Sequence, residues 1–227
     1  MPLPHVIVLA TGKGGAGKST LARSLAGHWL MSGLKPAIVD ADPQASIATF
    51  YDATGPMGGI SLIADPEVET IRATIHDMAE GRSPVIVDTA GFRNKTTVMA
   101  AISANLVLIP LKPAAEDVRE AVAMADLVAE LNQTPERAKS PIQVLMVLTM
   151  TVPGTVIGRH VRKELEQGGY PLLEAEITQR VAYPELSMRG LSPSVVDPDG
   201  AAARDIARVA AEISKKGGIR HGAVKAA

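Results

Sequence analysis

Five short runs along the chain are apolar at nearly every position: HVIVLA (5–10), PAIVDA (36–41), PVIVDT (84–89), NLVLIPL (105–111) and IQVLMVLT (142–149). A strand with one wet face alternates apolar and polar residues, whereas a strand covered on both faces reads as a continuous apolar run, so these five predict a buried, mainly parallel sheet. Between them the period lengthens to that of a helix, near 18–32, 67–80, 95–103, 114–131, 155–167 and 201–215. The segment PAAEDVREAVAMADLVAEL sets Val118, Val122, Ala125 and Val128 or Ala129 on one stripe, as an amphipathic helix requires. Strands alternating with helices imply a doubly wound α/β fold, its sheet flanked by helices on both faces.

Gly33 follows HWLMS where a helix needs a left-handed terminal residue, and DATGPMGG (52–59) and NQTPERAKSP (132–141) read as loops. Neither resembles a domain linker, and no internal repeat is present. The expectation is a single domain over 1–216, followed by a basic tail over 217–227 with too few large apolar groups to dock on a core.

Composition sharpens this picture in two places. Aromatic residues make up only 3% of the 227 residues, so the core must be aliphatic and alanine-rich. There is no cysteine, which removes disulfides, thiolate nucleophiles, Cys-ligated zinc and Cys-held iron–sulfur clusters. The net charge of −1 argues against a polybasic binder of nucleic acid as a whole. Charge is nevertheless uneven: from 200 to 227, Arg204, Arg208, Lys215, Lys216, Arg220 and Lys225 face only Asp205 and Glu212. The start of the chain lacks a basic leader and runs directly into a glycine-rich turn, and the apolar stretch 142–158 is broken by Gln143, Pro153 and Gly154. A cytoplasmic protein without a membrane span is expected.

The chemistry concentrates just after the first run. Gly12 to Ser19 fits G-x-x-x-x-G-K-[ST] between a strand and a helix, the context of a phosphate-binding loop. Glycines let successive backbone N–H groups converge on phosphate oxygens, and the following helix offers its positive end to the anion. The candidate cradle is Gly12, Gly14, Gly15, Ala16, Gly17, Lys18, Ser19 and Thr20. In this scheme Lys18 reaches the β- and γ-phosphates, the Ser19 hydroxyl coordinates Mg²⁺, and Thr20 donates to the α-phosphate. The scheme leaves Lys13 without a task.

The stretch KGGAGKST resembles the deviant Walker A motif, K-G-G-x-G-K-[ST], of the ParA/MinD superfamily of partitioning and positioning ATPases. The resemblance implies that Lys13 projects across a dimer interface to the phosphates held by the other subunit. It would supply positive charge where negative charge accumulates during phosphoryl transfer. DADPQ (40–44) resembles the D-x-D-P-Q segment of ParA-type proteins. That likeness implies a magnesium-ordering role for Asp40 and a catalytic, water-positioning role for Asp42. VIVDTAG (85–91) resembles the Walker B strand, which makes Asp88 a magnesium-associated carboxylate and puts Thr89 to Gly91 in a switch loop. Carboxylates at strand ends also serve as plain caps, an alternative that stays open for each of them.

Weaker likeness continues through NLVLIPLKPAAEDV, VLTMTVPGTVIGRHVRKEL and the segment from ITQR to the last helix, the first part of which is implied to lie near the adenine. Resemblance thus extends over most of 5–215. It implies a short ParA-type ATPase that uses ATP and Mg²⁺, forms a homodimer around ATP and binds DNA non-specifically. Such a protein associates with the nucleoid, answers to a ParB-like adaptor, and segregates or positions a plasmid, a chromosome or a protein cluster. The DNA candidates are Arg204, Arg208, Lys215, Lys216 and Arg220. Two alternatives differ in class. A MinD-type membrane-cycling ATPase needs large apolar residues in its C-terminal helix, where this chain offers only Ile219 and Val224. The other is a P-loop synthetase acting on a small molecule, over which the DADPQ segment favours the ParA-type reading.

Overall fold

The computed structural model describes residues 6–12, 14–91 and 94–216. Six strands, β1 (Val6–Thr11), β2 (Ala37–Ala41), β3 (Ser61–Ala64), β4 (Val85–Gly91), β5 (Leu106–Leu111) and β6 (Gln143–Leu148), form one sheet in the order β3-β2-β4-β1-β5-β6. Every pairing in it is parallel. Helices α1 (Lys18–Met31), α2 (Ile71–Ala79), α3 (Lys95–Ser103), α4 (Ala115–Leu131), α5 (Val156–Gln167), α6 (Ala182–Met188), α7 (Pro193–Val196) and α8 (Ala201–Lys216) cover it.

The continuous apolar runs have the cause expected of them. Along β1, Val6, Val8 and Ala10 enter one core with residues of α2, α3, α4 and α5, while Ile7 and Leu9 enter a second with α1 and α8. Both faces are therefore dry, and Val8, Leu9 and Ala10 are fully buried. Gly33 takes φ +79°, with Leu34 N–H donating to Trp29 C=O and Gly33 N–H to Leu30 C=O, the paired bonds of a left-handed helix stop.

Four elements depart from expectation. Strand β3 is a short edge of 4 residues whose side chains are half-buried or exposed, so it carries no apolar run to read. The helix expected from 67 begins at Ile71, because the Asp65 carboxylate accepts from Glu67 N–H and the Thr70 and Thr74 hydroxyls and holds the preceding turn non-helical. Helices α6 and α7 are too short for a helical period to show in the sequence. The tail 217–227 lies outside the described residues.

Strand β1 sits where the order reverses, with β4 on one side and β5 on the other. In open parallel sheets the crevice beyond the carboxyl ends of such strands is the place for a ligand. The glycine-rich turn leaves β1 at that point.

Candidate active site

The turn after β1 is shaped by residues that only glycine suits. Gly15 and Gly17 adopt φ +83° and +85°, and Gly17 is the N-cap of α1. Having no side chain, it leaves the first-turn N–H groups of α1 without a side-chain acceptor, open to an external anion. A Cβ on Gly12 would run into the Glu120 side chain of α4, so the turn also needs glycine where α4 closes against it. The Thr149 hydroxyl donates to Ala16 C=O at 3.0 Å and pins the buried middle of the loop.

A cavity of about 550 Å³ opens over this loop. One wall is Gly14, Gly15, Gly17, Lys18, Ser19 and Thr20; Asp42, Gln44 and Ser46 come from the loop after β2, and Ala90 and Gly91 from the end of β4. Lys18 is buried, and burial pushes its ammonium below the usual lysine range while Asp88 and then Asp42 pull it back up. Asp88 is fully buried, and neither carboxylate oxygen meets a donor in hydrogen-bond geometry among the described residues. Burial drives its pKa up to about 7; the nearby Ser19 hydroxyl and Lys18 oppose that rise, and Asp40 and Asp42 add to it.

Asp40 divides its carboxylate. Oδ2 accepts from Ile47 N–H and Ala48 N–H, both at 2.9 Å, and so organises the turn of 3₁₀ helix at Ala48–Phe50; Oδ1 has no partner among the described residues. Burial raises its pKa, and these backbone donors counter the rise. One oxygen thus acts as the structural cap that strand-end carboxylates often are, and the other remains for a ligand. Asp42 is half-buried in the cavity wall, with Oδ1 accepting from Gln44 N–H at 2.9 Å.

The expected switch loop is corrected at its first residue. Thr89, Ala90 and Gly91 belong to β4, and the buried Thr89 hydroxyl donates to Leu9 C=O at 2.8 Å. Ala90 and Gly91 do line the cavity. Lys13 lies outside the described residues.

A second cavity of about 610 Å³ adjoins the first through Gly17 and Thr20. Its lining is mainly apolar, from Leu21, Met150, Val152, Ile177, Val181, Tyr183, Pro184 and Ile206, with Arg180 at its edge. It follows the ITQR segment, where a base was expected.

On α8 the proposed DNA contacts separate. Asp205, fully buried, is shared by Arg180 at 2.8 Å, which holds α8 to the ITQR segment, and by Arg208 at 2.6 Å, a pair within α8 itself. Lys216 pairs with Glu212 at 3.3 Å, and Arg204, exposed, donates to Asp199 C=O. Lys215 is exposed, and Arg220 lies outside the described residues.

Sequence reasoning missed Arg23, Ser187, Phe50 and Met188, which complete the first cavity. For Arg23 a signal existed: it stands three and four residues after Thr20 and Ser19, on the same helix face.

The model of the CobQ/CobB/MinD/ParA nucleotide-binding domain matches residues 7–193. The chain belongs to this family. Among curated relatives of this CobQ/CobB/MinD/ParA protein, Protein ParA of Rhizobium radiobacter is 30% identical over 187 residues, covering 82% of this chain and 83% of the relative. Maintenance of carboxysome distribution protein A of Gloeobacter kilaueensis is 30% identical over 222 residues, covering 93% and 95%. The solved complex of a Cyanothece McdA variant with ATP superposes with a TM-score of 0.73 at 14% identity, over 97% of this chain and 98% of that one, a likeness of fold. No helix among the described residues is long and apolar enough to cross a membrane.

Proposed function

We propose that this chain is a ParA-type ATPase which dimerises around ATP, binds DNA without sequence preference in that state, and positions a cargo. The observation that carries the reading is Asp88. A buried carboxylate with neither oxygen meeting a donor in hydrogen-bond geometry among the described residues, near Lys18 and Ser19 at a phosphate-binding loop, is costly unless a cation completes it.

The residues present fit Mg²⁺: the Ser19 hydroxyl lines the cavity, and the buried Asp88 carboxylate and the Oδ1 of Asp40, register partners on the adjacent strands β4 and β2, are oxygen donors without a hydrogen-bond partner among the described residues. The ion supplies positive charge against the phosphates. The chain's own groups do the rest. Backbone N–H groups of the loop and first turn of α1 hold the phosphates, and Lys18 neutralises charge at the transferred phosphoryl group. Asp42 aligns the attacking water, and Lys13 adds charge from the other subunit. The apolar second cavity takes the base.

Two observations support the positioning role. Curated relatives at 30% identity carry the names of a ParA protein and of a carboxysome-distribution protein, so a DNA molecule and a protein body are both fitting cargo for a nucleoid-bound motor that an adaptor stimulates. The exposed cations of α8, Arg204 and Lys215, together with Arg220, supply the charge for phosphate contacts. The Arg180, Asp205 and Arg208 cluster adds one net positive charge to that side.

Anisotropy of a labelled duplex tests this reading. With ATP and Mg²⁺ the chain binds duplexes of unrelated sequence alike, far more weakly with ADP, and affinity falls linearly on a log–log salt plot by about 0.9 per phosphate neutralised. Replacing Lys215, Lys216 and Arg220 together by alanine lowers affinity evenly across sequences. Binding that ignores the nucleotide, or that prefers anionic vesicles to DNA, contradicts it.

A further inference from the structure

Arg23 is 4% exposed, yet its side chain forms part of the wall of the phosphate cavity. Its partners are neutral: Nε donates to Leu191 C=O at 3.2 Å, and Nη2 donates to the Ser187 hydroxyl. Among the described residues no carboxylate forms an ion pair with it. A guanidinium stays charged in protein interiors, and burying it against neutral oxygens alone is unfavourable unless an anion is nearby. Burial lowers its pKa to about 10, and Asp88 opposes this.

The surroundings say which anion. Ser187, on α6, meets Arg23 from one side and the Thr20 hydroxyl, at 3.2 Å, from the other. Thr20 lies at the junction of the two cavities and lines both. The Arg23–Ser187–Thr20 group therefore stands between the cradle for the terminal phosphates and the apolar cavity for the base. A nucleotide spanning the two puts at that point the phosphate joined to its sugar.

We infer that Arg23, aligned by Ser187, binds the sugar-linked phosphate of the nucleotide and gives the site its preference for nucleotides over inorganic polyphosphate. The planar fork suits a phosphate oxygen pair, and the hydrogen bonds to Leu191 and Ser187 remove the rotamer freedom that an exposed arginine would lose on binding. The same bonds tie the segment from α6 to α7 to the helix of the phosphate loop, so filling the site also steadies the wall of the base cavity. This inference rests on the nucleotide reading above.

Calorimetry with Mg²⁺ and either ADP or inorganic pyrophosphate tests it on four proteins: the unaltered chain, Arg23→Met, Arg23→Lys and Ser187→Ala. Pyrophosphate fills the cradle at Lys18 and Ser19 without a sugar-linked phosphate. Arg23→Met is expected to weaken ADP by about 10- to 100-fold and pyrophosphate by less than about twofold. Arg23→Lys, which keeps a charge but not the fork, recovers part of that loss, and Ser187→Ala weakens ADP several-fold with pyrophosphate unchanged. If Arg23→Met fails to fold, the other two variants carry the test. Equal losses for ADP and pyrophosphate would assign Arg23 a purely structural role and overturn the inference, as would unchanged ADP affinity in these variants. Failure of the unaltered chain to bind ADP at all would overturn the nucleotide reading as well, which distinguishes the two.

Discussion

Asp40 and Asp88 are register partners on the adjacent parallel strands β2 and β4, and both side chains are fully excluded from water. Two like charges held side by side in a dry crevice repel; Ser19 and Lys18 stand near Asp88 and oppose this, but among the described residues neither Asp88 oxygen has a donor in hydrogen-bond geometry and Asp40 has donors on one oxygen alone. Removing one charge relieves that conflict. Asp88→Asn is expected to stabilise the ligand-free protein near neutral pH by about 1 kcal/mol, or some 2–4 °C in Tm. The same variant loses the effect of Mg²⁺ on nucleotide affinity. Calorimetry with and without Mg²⁺, beside a thermal scan, checks both. A less stable Asp88→Asn that still responds to Mg²⁺ contradicts the role given to Asp88.

The two lysines of the loop separate by what they touch. Lys18 begins α1 and lines the cavity of its own subunit, so Lys18→Ala is expected to lower ATP affinity by about 100-fold or more. Lys13 is proposed to act on the other subunit's phosphates. Lys13→Ala should then keep nucleotide affinity within about threefold while hydrolysis drops by about 100-fold. Titration and phosphate release on both variants decide it, and equal losses of binding speak against action in trans.

Glu212 predicts an acid-sensitive attachment of α8. Its carboxylate accepts from Ala175 N–H at 2.6 Å and Glu174 N–H at 3.0 Å and pairs with Lys216. Burial alone would raise its pKa, but these donors and Lys216 outweigh it and hold the carboxyl below the ordinary glutamate range. A carboxyl more acidic in the folded than in the unfolded chain stabilises the fold above its unfolded pKa and loses that contribution as pH falls through the folded value. Glu212→Ala should cost about 1–2 kcal/mol at pH 7, and the gap from the unaltered protein should close below about pH 4. Urea unfolding, followed through the single buried Trp29, gives the comparison. A gap that persists at pH 3 would remove the carboxylate as the cause.

The phosphate loop, the five apolar strands and the long helices were legible because each is written in contiguous sequence. Uniform apolar runs report two dry faces, glycines at Gly15 and Gly17 report left-handed backbone, and Gly33 reports a helix stop. Strand β3 was hidden because so short an edge, exposed at Ile63, lacks the burial that writes the pattern. Helices α6 and α7 form through packing on α1 and α8, with Ser192 Oγ donating to Ser24 C=O and Tyr183 Oη to Ala202 C=O, rather than through their own periodicity. Arg23 and Ser187 were missed for the same reason, being brought together across 164 residues of chain. On α8, Arg208 and Lys216 pair with Asp205 and Glu212, three and four residues before them, a spacing that a bare count of charges passes over.

Asp42 gives the most direct test of the whole account. It lines the cavity but lies outside the glycine loop and α1, so Asp42→Ala should block hydrolysis while leaving the phosphates held. Light scattering of Asp42→Ala in Mg²⁺, with ATP or with ADP, measures this in one experiment. The mass is expected to double from the 23.7 kDa of one chain with ATP, to stay at one chain with ADP, and not to revert over hours with ATP as the phosphate-release signal remains flat. A protein that stays monomeric in ATP, or that releases phosphate at the rate of the unaltered chain, contradicts it.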